Sequence, residues 1–446
     1  MTQAVSDQEK ATGNRRAAHG EADARATWFQ RRPLAMLVGL FVFAFVVRLA
    51  VIPVLPQEPT YGDEADYMEL AEKLATDGTY PARPFRPPGY PAFLAGLHLL
   101  GLDSYDSVRV FQALVGALAV VVAALVATRI LTETAGVAAG VVMATYPLWV
   151  YAGATAYPQT LVACLLYLMI LLLLVAKRRV STSLGLALGI AGGVTALMVP
   201  VYAAVVPVGL AWLYVVAARQ GASGFWRFVA VCVLGIIVVV GPWTARNYLA
   251  SGEFIPVSTN GAVNFWLGNN KWATVNTKSH LHPFEIYGDE LSELSPRQQE
   301  RFMIEAGLEH IASDPIGAMR FGLAKFLAFF RPWPGQMVES GSQSMVRKTG
   351  LWVVAISSAL VIGLGMLGAI LTWRRHSETW LLVGMVILIA GLYSVFFTAV
   401  RFRMPLDGIF AMLAVAGLAE LRRQARRANG RCGDETHDRR PLSDPL

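Results

Sequence analysis

Ten apolar runs divide the chain, near residues 34–54, 108–128, 134–150, 158–176, 183–199, 201–218, 227–243, 350–372, 379–399 and 405–421. A helix crosses a bilayer with about 20 apolar residues, so runs of this length and number commit the chain to a helical bundle in lipid. Pro200 and Pro207 interrupt the 183–218 stretch, which reads as a broken helix pair. Of the 446 residues 55% are hydrophobic and 15% are charged, against about 25% charged in an average soluble protein. This balance excludes a cytosolic enzyme and a disordered chain. Three cysteines, Cys164, Cys232 and Cys432, offer no disulfide framework and no cysteine-rich metal site.

Charge in the short connections sets the expected sidedness. Arg129, Lys177 to Arg179, Arg219 with Arg227, and Arg374 with Arg375 fall on one face, whereas the connections at 151–157 and 198–202 carry no Lys or Arg. Positive charge stays in the cytoplasm, so both termini are expected inside and about ten spans follow. Residues 1–33 read as a disordered cytoplasmic tail and 422–446 as a basic one, flanking membrane segments at 34–243 and 350–421. The sequence pI of 9.4 then describes a cytoplasmic rim and does not argue for nucleic acid. Two long segments, 55–107 and 244–349, are forced to the outer face. They are net acidic and too long for simple connectors, so function is expected there.

The first outer segment contains YGDEADYMELAEKLATDG at 61–78. Tyr67, Leu70, Ala71 and Leu74 recur at helical spacing opposite Glu69, Glu72, Lys73 and Asp77, with Gly78 as a stop, which predicts a short amphipathic helix on the membrane surface. Asp63 stands at its start, either as an N-cap, with Asp66 at the third helical position, or as a general base delivered to the interface; the two roles are compatible. Four prolines between Arg83 and Pro91 stiffen a loop that presents Arg83, Arg86 and Tyr90. Its guanidiniums suit a phosphate oxyanion or anionic lipid.

In the second outer segment Arg246 and Asn247 lie where a helix leaves the bilayer. An aromatic, amide-rich stretch with Trp266 and Asn269 follows, a mixture that suits sugar recognition and also ordinary interfacial chemistry. His280 and His282 alternate without a carboxylate at ligand spacing. Residues 296–331 predict one or two surface helices split at Asp314-Pro315. The short stretch AVRFRMP, 399–405, reads as an outer turn whose Arg401 and Arg403 run against the positive-inside trend. An anionic ligand or lipid phosphate explains them.

Taken in order, GDEADY (62–67), a basic residue before Pro87-Pro88, GPWTARNY (241–248), GNN (268–270), the amphipathic run ending at Lys325, and RFRMPL (401–406) resemble the GT-C superfamily of membrane glycosyltransferases. The branch it looks like holds bacterial protein O-mannosyltransferases and the lipid A aminoarabinose transferase, and the likeness spans residues 34–421. The resemblance implies an all-α polytopic membrane protein, a GT-C-like helical core with amphipathic interfacial helices in its extracytoplasmic loops. It implies a polyprenyl-phosphate sugar donor, inversion at the anomeric carbon and a multi-pass protein of the bacterial inner membrane whose active site is extracytoplasmic. The acceptor is a lipid, a protein or a polysaccharide, and membrane lipid is the other partner.

By the same resemblance Asp63 and its neighbour Glu64 take the catalytic acidic positions. Arg86, Arg401, Arg403 and Arg246 take the donor phosphate, and Arg83, Tyr90, Asn247, Trp266 and Asn269 the substrate. Where many relatives carry an acidic residue in a later short loop, this chain has Ala156, Tyr157, Pro158 and Gln159, so a divalent metal stays open. The residue types suit the chemistry: arginines hold the leaving phosphate while a carboxylate removes the acceptor proton. Burial is expected to raise the pKa of that carboxylate. A transporter or flippase of a lipid-linked sugar is the alternative, as is a polysaccharide polymerase or ligase. A transporter predicts ionisable residues at mid-membrane; the runs hold almost none, Arg48 well inside the first and Arg109 near the start of the second, and that scarcity favours the enzyme.

Overall fold

The computed structural model describes residues 33–55, 62–219, 224–275, 282–333 and 345–435. The N-terminal tail to residue 32, His280 and the chain beyond 435 lie outside the described residues. No strand occurs among the described residues. The helices, in order, are α1 (Pro33–Val51), α2 (Gly62–Thr76), α3 (Gly89–Leu99), α4 (Tyr105–Ile130), α5 (Glu133–Thr145), α6 (Pro147–Ala152), α7 (Gln159–Ala176), α8 (Thr182–Met198), α9 (Pro200–Ala203) and α10 (Val205–Arg219). They continue with α11 (Phe225–Ser251), α12 (Asn260–Gly268), α13 (Pro283–Ile286), α14 (Gly288–Ser292), α15 (Pro296–Ser313), α16 (Pro315–Ala328), α17 (Met345–Thr372), α18 (Ser377–Val395) and α19 (Val400–Glu435).

Seven helices among the described residues are long and apolar enough to cross a membrane: Leu34–Val54, Tyr105–Ile130, Gln159–Ala176, Phe225–Ser251, Thr349–Thr372, Ser377–Val395 and Val400–Arg426. The other three expected runs form shorter apolar helices, Glu133–Thr145, Thr182–Met198 and Pro200–Val216. Prolines make the difference. Pro147 cannot donate to a continuing helix, so the 134–150 run breaks into α5 and α6, and Pro200 breaks the next stretch at Val199. The 399–405 stretch departs from its expectation as a turn, because α19 begins at Val400 and carries Arg401 and Arg403 in its first turn.

Side-chain caps start several of these helices. Ser104, Thr132 and Ser181 accept from the backbone N–H groups of Ser107, Ala135 and Leu184, each satisfying an otherwise orphaned donor. Helices α4, α7 and α19 supply much of the buried centre, while α1, α11 and α17 keep apolar side chains such as Val42, Ile237 and Ile356 exposed on their outer faces. Such faces suit lipid and not water. Helix α8 lies so close to α11 that a Cβ on Gly189 would sit 2.0 Å from the Cys232 carbonyl oxygen, the small-residue contact expected between helices in a bilayer.

The two ends of the bundle differ in chemistry. At one end Lys177 pairs with Glu378 at 2.5 Å and Arg375 pairs with Glu420. At the other, α2, α3 and the start of α7 and α19 meet, with α12, α15 and α16 packed beside them. The split at Asp314-Pro315 is present, with Asp314 capping α16 through the Gly317 N–H at 2.9 Å. Buried ionisable side chains in the spans include Arg48 and Arg109 as expected. They also include Asp407, which pairs with Arg403 and which the reading of the apolar runs passed over.

Candidate active site

Tyr67 and Ala71 bury the inner face of α2, leaving Glu69, Glu72 and Lys73 outside. Gly78 ends the helix region at φ +64°, with the Thr79 N–H reaching back to the Lys73 carbonyl, a left-handed stop that glycine adopts without Cβ strain. The helix starts at Gly62, so Asp63 lies inside its first turn and not before it. From there the carboxylate meets three groups brought from distant parts of the chain. Oδ1 accepts from Arg86 at 2.5 Å and Oδ2 accepts from the Tyr157 hydroxyl at 2.6 Å, while Arg401 stands 3.2 Å away. Arg86 also reaches Asp66 at 2.7 Å, and Tyr157 accepts from Arg401 at 2.9 Å.

Electrostatics here oppose the expectation for a buried acid. Burial pushes the Asp63 carboxyl up, but the Arg401 and Arg86 guanidiniums and the Tyr157 hydroxyl outweigh it and hold the group below its ordinary value. Burial opposes the charge on Arg86, and Asp63 beside it more than restores it. Burial raises the Tyr157 phenol, which stays protonated and available as a donor. The guanidiniums are fixed by rings as well: Arg86 lies 5.4 Å from the Tyr67 centroid and Arg401 5.3 Å from that of Phe402.

These groups form one corner of a cavity of about 430 Å³. Ser258, Asn260, Asn264 and Gln159 line another part of it, and Met198, Val201, Tyr393, Phe396, Phe397 and Phe402 make an apolar wall. A pocket of this size and mixed lining suits an amphiphile with a polar head. Among the described residues lining it, Asp63 is the one carboxylate. No three His, Cys, Asp or Glu side chains gather as a metal-binding group among the described residues. With guanidiniums on both sides of that carboxylate, the residues present suit an anion and do not fit a divalent cation.

Other expected site residues stand elsewhere. Glu64 is fully buried and turned away from the cavity, accepting from the Tyr105 hydroxyl at 3.0 Å and the Ala156 N–H at 3.1 Å. It anchors α2 to the stretch that carries Tyr157. Arg83 pairs with Glu253 and Glu300. Arg246 donates to the carbonyls of Tyr80 and Pro81, and Pro84 accepts from the Thr259 N–H at 2.8 Å, so these contacts tether the loop that carries Arg86. Tyr90 is buried against Gln112, and the Asn247 amide donates to the Ile255 carbonyl at 2.9 Å. Arg403 is fully buried, donating to Asp407 at 2.8 Å and to the carbonyls of Phe329 and Arg331.

On α12 the residues that face the cavity are not Trp266 and Asn269. Asn260 and Asn264, four apart, line the cavity, while Trp266 packs with Val263, Met303 and Phe397. Asn269 donates to the carbonyls of Phe265 and Val395. A Cβ on Gly268 would overlap the Phe396 carbonyl oxygen at 1.8 Å, so only glycine lets α12 meet the turn before α19 this closely. Lys325 seals that junction, donating to the carbonyls of Gly268 at 3.0 Å and Phe396 at 2.9 Å. Tyr157 is the residue sequence reasoning missed: its stretch was searched for a carboxylate, and a phenol answered.

Residues 85–244 match the family described as dolichyl-phosphate-mannose-protein mannosyltransferase. The apo oligosaccharyltransferase of Archaeoglobus fulgidus superposes with a TM-score of 0.53 at 12% identity, over 94% of this chain and 54% of that one. The chain shares the fold of that archaeal oligosaccharyltransferase. The same archaeal protein tethered to an acceptor peptide gives 0.51 at 12% identity, over 88% and 50%. ArnT from Cupriavidus metallidurans bound to undecaprenyl phosphate gives 0.42 at 19% identity, over 85% and 77%. The chain spans about half the length of the oligosaccharyltransferase it matches. No curated protein sequence matches it.

Proposed function

We propose that the protein moves a sugar from a polyprenyl-phosphate carrier to an acceptor hydroxyl, with inversion, on the extracytoplasmic side of a bacterial inner membrane in which both termini are cytoplasmic. The observation that carries this reading is the Asp63 carboxylate held between Arg86 and Arg401 at the edge of a half-apolar cavity. The match of residues 85–244 to a lipid-phosphate-sugar family supports the donor class.

The donor phosphate competes with Asp63 for the two guanidiniums. Once Arg86 and Arg401 turn to the phosphate, Asp63 loses the positive charge that held its pKa down and becomes a stronger base. Tyr157, hydrogen-bonded to Oδ2, keeps the carboxylate in place. The acceptor oxygen attacks the anomeric carbon, its proton passes to Asp63, and the bond from that carbon to the phosphate oxygen breaks. The charge left on the phosphate is held by the arginines, which need no reorganisation at that moment. A single displacement inverts the anomeric centre. The apolar wall of Met198, Val201, Phe396 and Phe402 receives the first isoprene units of the carrier.

The test is Asp63→Asn in purified full-length protein, which is expected to lower transfer by about a hundredfold or more while expression and monodispersity persist. Wild-type turnover by that variant would overturn Asp63 as the base.

A further inference from the structure

The mechanism above uses the charged corner of the cavity and leaves its amide-lined part without a task. Gln159 is 8% exposed, lines the cavity, and its Oε1 has no hydrogen-bond partner in the protein. Asn260 and Asn264 lie one helical turn apart on α12 and also line it, consistent with the i, i+4 neighbour rule. Ser258 donates to Asn260 Oδ1 at 3.2 Å, which fixes the orientation of that amide. Three primary amides therefore converge on a space that begins beside the Asp63, Arg86 and Arg401 cluster.

A primary amide both donates and accepts, as a sugar hydroxyl does, whereas a carboxylate only accepts and a guanidinium only donates. We propose that Gln159, Asn260 and Asn264 form the subsite that recognises the donor's glycosyl group, and that this group is uncharged. The inference rests on the glycosyltransferase reading of the same cavity. Its charge argument is independent of any family: in that reading Arg86 and Arg401 are engaged by the phosphate. Asp63 is the one carboxylate among the described lining residues, and it is reserved for the acceptor proton. Among the described residues lining the cavity no second anion remains to pair an ammonium on the sugar, and no further cation remains to pair a uronate. Amides satisfy hydroxyls; they leave a buried charge unpaired, which is costly.

The experiment measures binding of three short-chain carriers to the full-length protein in detergent: polyprenyl phosphate alone, its neutral hexosyl form and its amino-sugar form. The wild type should bind the hexosyl form more tightly than the amino-sugar form. Gln159→Ala and Asn264→Ala should each weaken the hexosyl form by about five- to tenfold and leave bare polyprenyl phosphate within about twofold. Asn264→Asp, which keeps the shape and adds a carboxylate, should shift preference toward the amino-sugar form and guards against misfolding of the alanine variants.

Equal loss of bare phosphate and hexosyl carrier would make these residues structural and overturn the subsite. Tighter binding of the amino-sugar form by the wild type would overturn the uncharged sugar. Binding of bare phosphate without discrimination among the glycosylated forms would sink the subsite and leave the glycosyltransferase reading standing. Failure of the wild type to bind any of the three carriers would sink both.

Discussion

Tyr157 donates its hydroxyl to Asp63 at 2.6 Å and accepts from Arg401 at 2.9 Å, so one phenol couples the carboxylate to a guanidinium that lies 244 residues beyond the tyrosine along the chain. That coupling occupies the stretch Ala156 to Gln159, which carries no carboxylate. It makes Asp63 a carboxylate stabilised in its charged form until a competing anion arrives.

Tyr157→Phe tests the coupling. The hydrogen bond from Tyr157 is one of the forces lowering the Asp63 pKa, so its removal moves that pKa upward. The acid limb of kcat/KM, which reports the free enzyme, should shift to higher pH. Loss of a hydrogen bond to a charged group costs about 1.5–3 kcal/mol, and turnover should fall by about tenfold or more. A pH profile and a rate both unchanged would remove Tyr157 from the site.

Arg403 and Asp407 are both 0% exposed and hydrogen-bonded at 2.8 Å. Arg403→Met leaves the buried carboxylate with only the Tyr146 hydroxyl and no opposite charge, which should destabilise the protein by about 3–5 kcal/mol. Arg403→Met with Asp407→Leu should recover most of that, since replacing a buried pair by apolar side chains is often nearly neutral. Thermal unfolding in detergent reads both. The binding constant for a polyprenyl phosphate in the double variant should stay near wild type; a large loss would return Arg403 to the donor phosphate.

What the sequence carried was local. The spacing of Tyr67 and Ala71, the stop at Gly78 and the break at Asp314-Pro315 are written in neighbouring residues, and the structure forms α2, α15 and α16 there. Arg401 stood out because its charge runs against the positive-inside trend, but its pairing with Asp63, like that of Arg86, appears only in the structure. What it did not carry was the partner of each charge. Arg83 looked free for a phosphate because Glu253 and Glu300 lie far along the chain. Arg246 looked the same, yet its acceptors are the carbonyls of Tyr80 and Pro81, which no side-chain pattern announces. On α12, Trp266 and Asn264 are two residues apart, and packing against Met303 and Phe397 decides which one faces inward.

Arg246 is expected to act through Arg86. Arg246→Ala frees the carbonyls of Tyr80 and Pro81 and loosens the loop that carries Arg86, so donor KM should rise by about three- to tenfold. Arg246→Lys, which restores one donor and the charge, should recover part of the loss. A direct phosphate ligand predicts a different outcome, with Arg246→Ala and Arg86→Ala alike in their loss of bare polyprenyl phosphate binding.

Lys325 gives the structure a stability signature at alkaline pH. The side chain is 2% exposed and donates to Gly268, Phe396 and Asn269. Burial lowers its ammonium from the ordinary 10.5 to about 8. In the unfolded chain the proton stays bound up to about 10.5, whereas the folded protein releases it near 8. Between those values the unfolded state binds more protons, so stability rises with pH across that window; below 8 both states are protonated and the contribution is flat. Lys325→Met removes that rise. It also strips the donor from the Phe396 and Gly268 carbonyls, so the variant should already be less stable at pH 7, by about 1–3 kcal/mol for an unsatisfied buried acceptor. The gap between wild type and variant should widen from pH 8 to pH 10, read as Tm in detergent. Parallel curves over that range would mean that Lys325 keeps its proton in the folded protein and that its burial does not shift its titration.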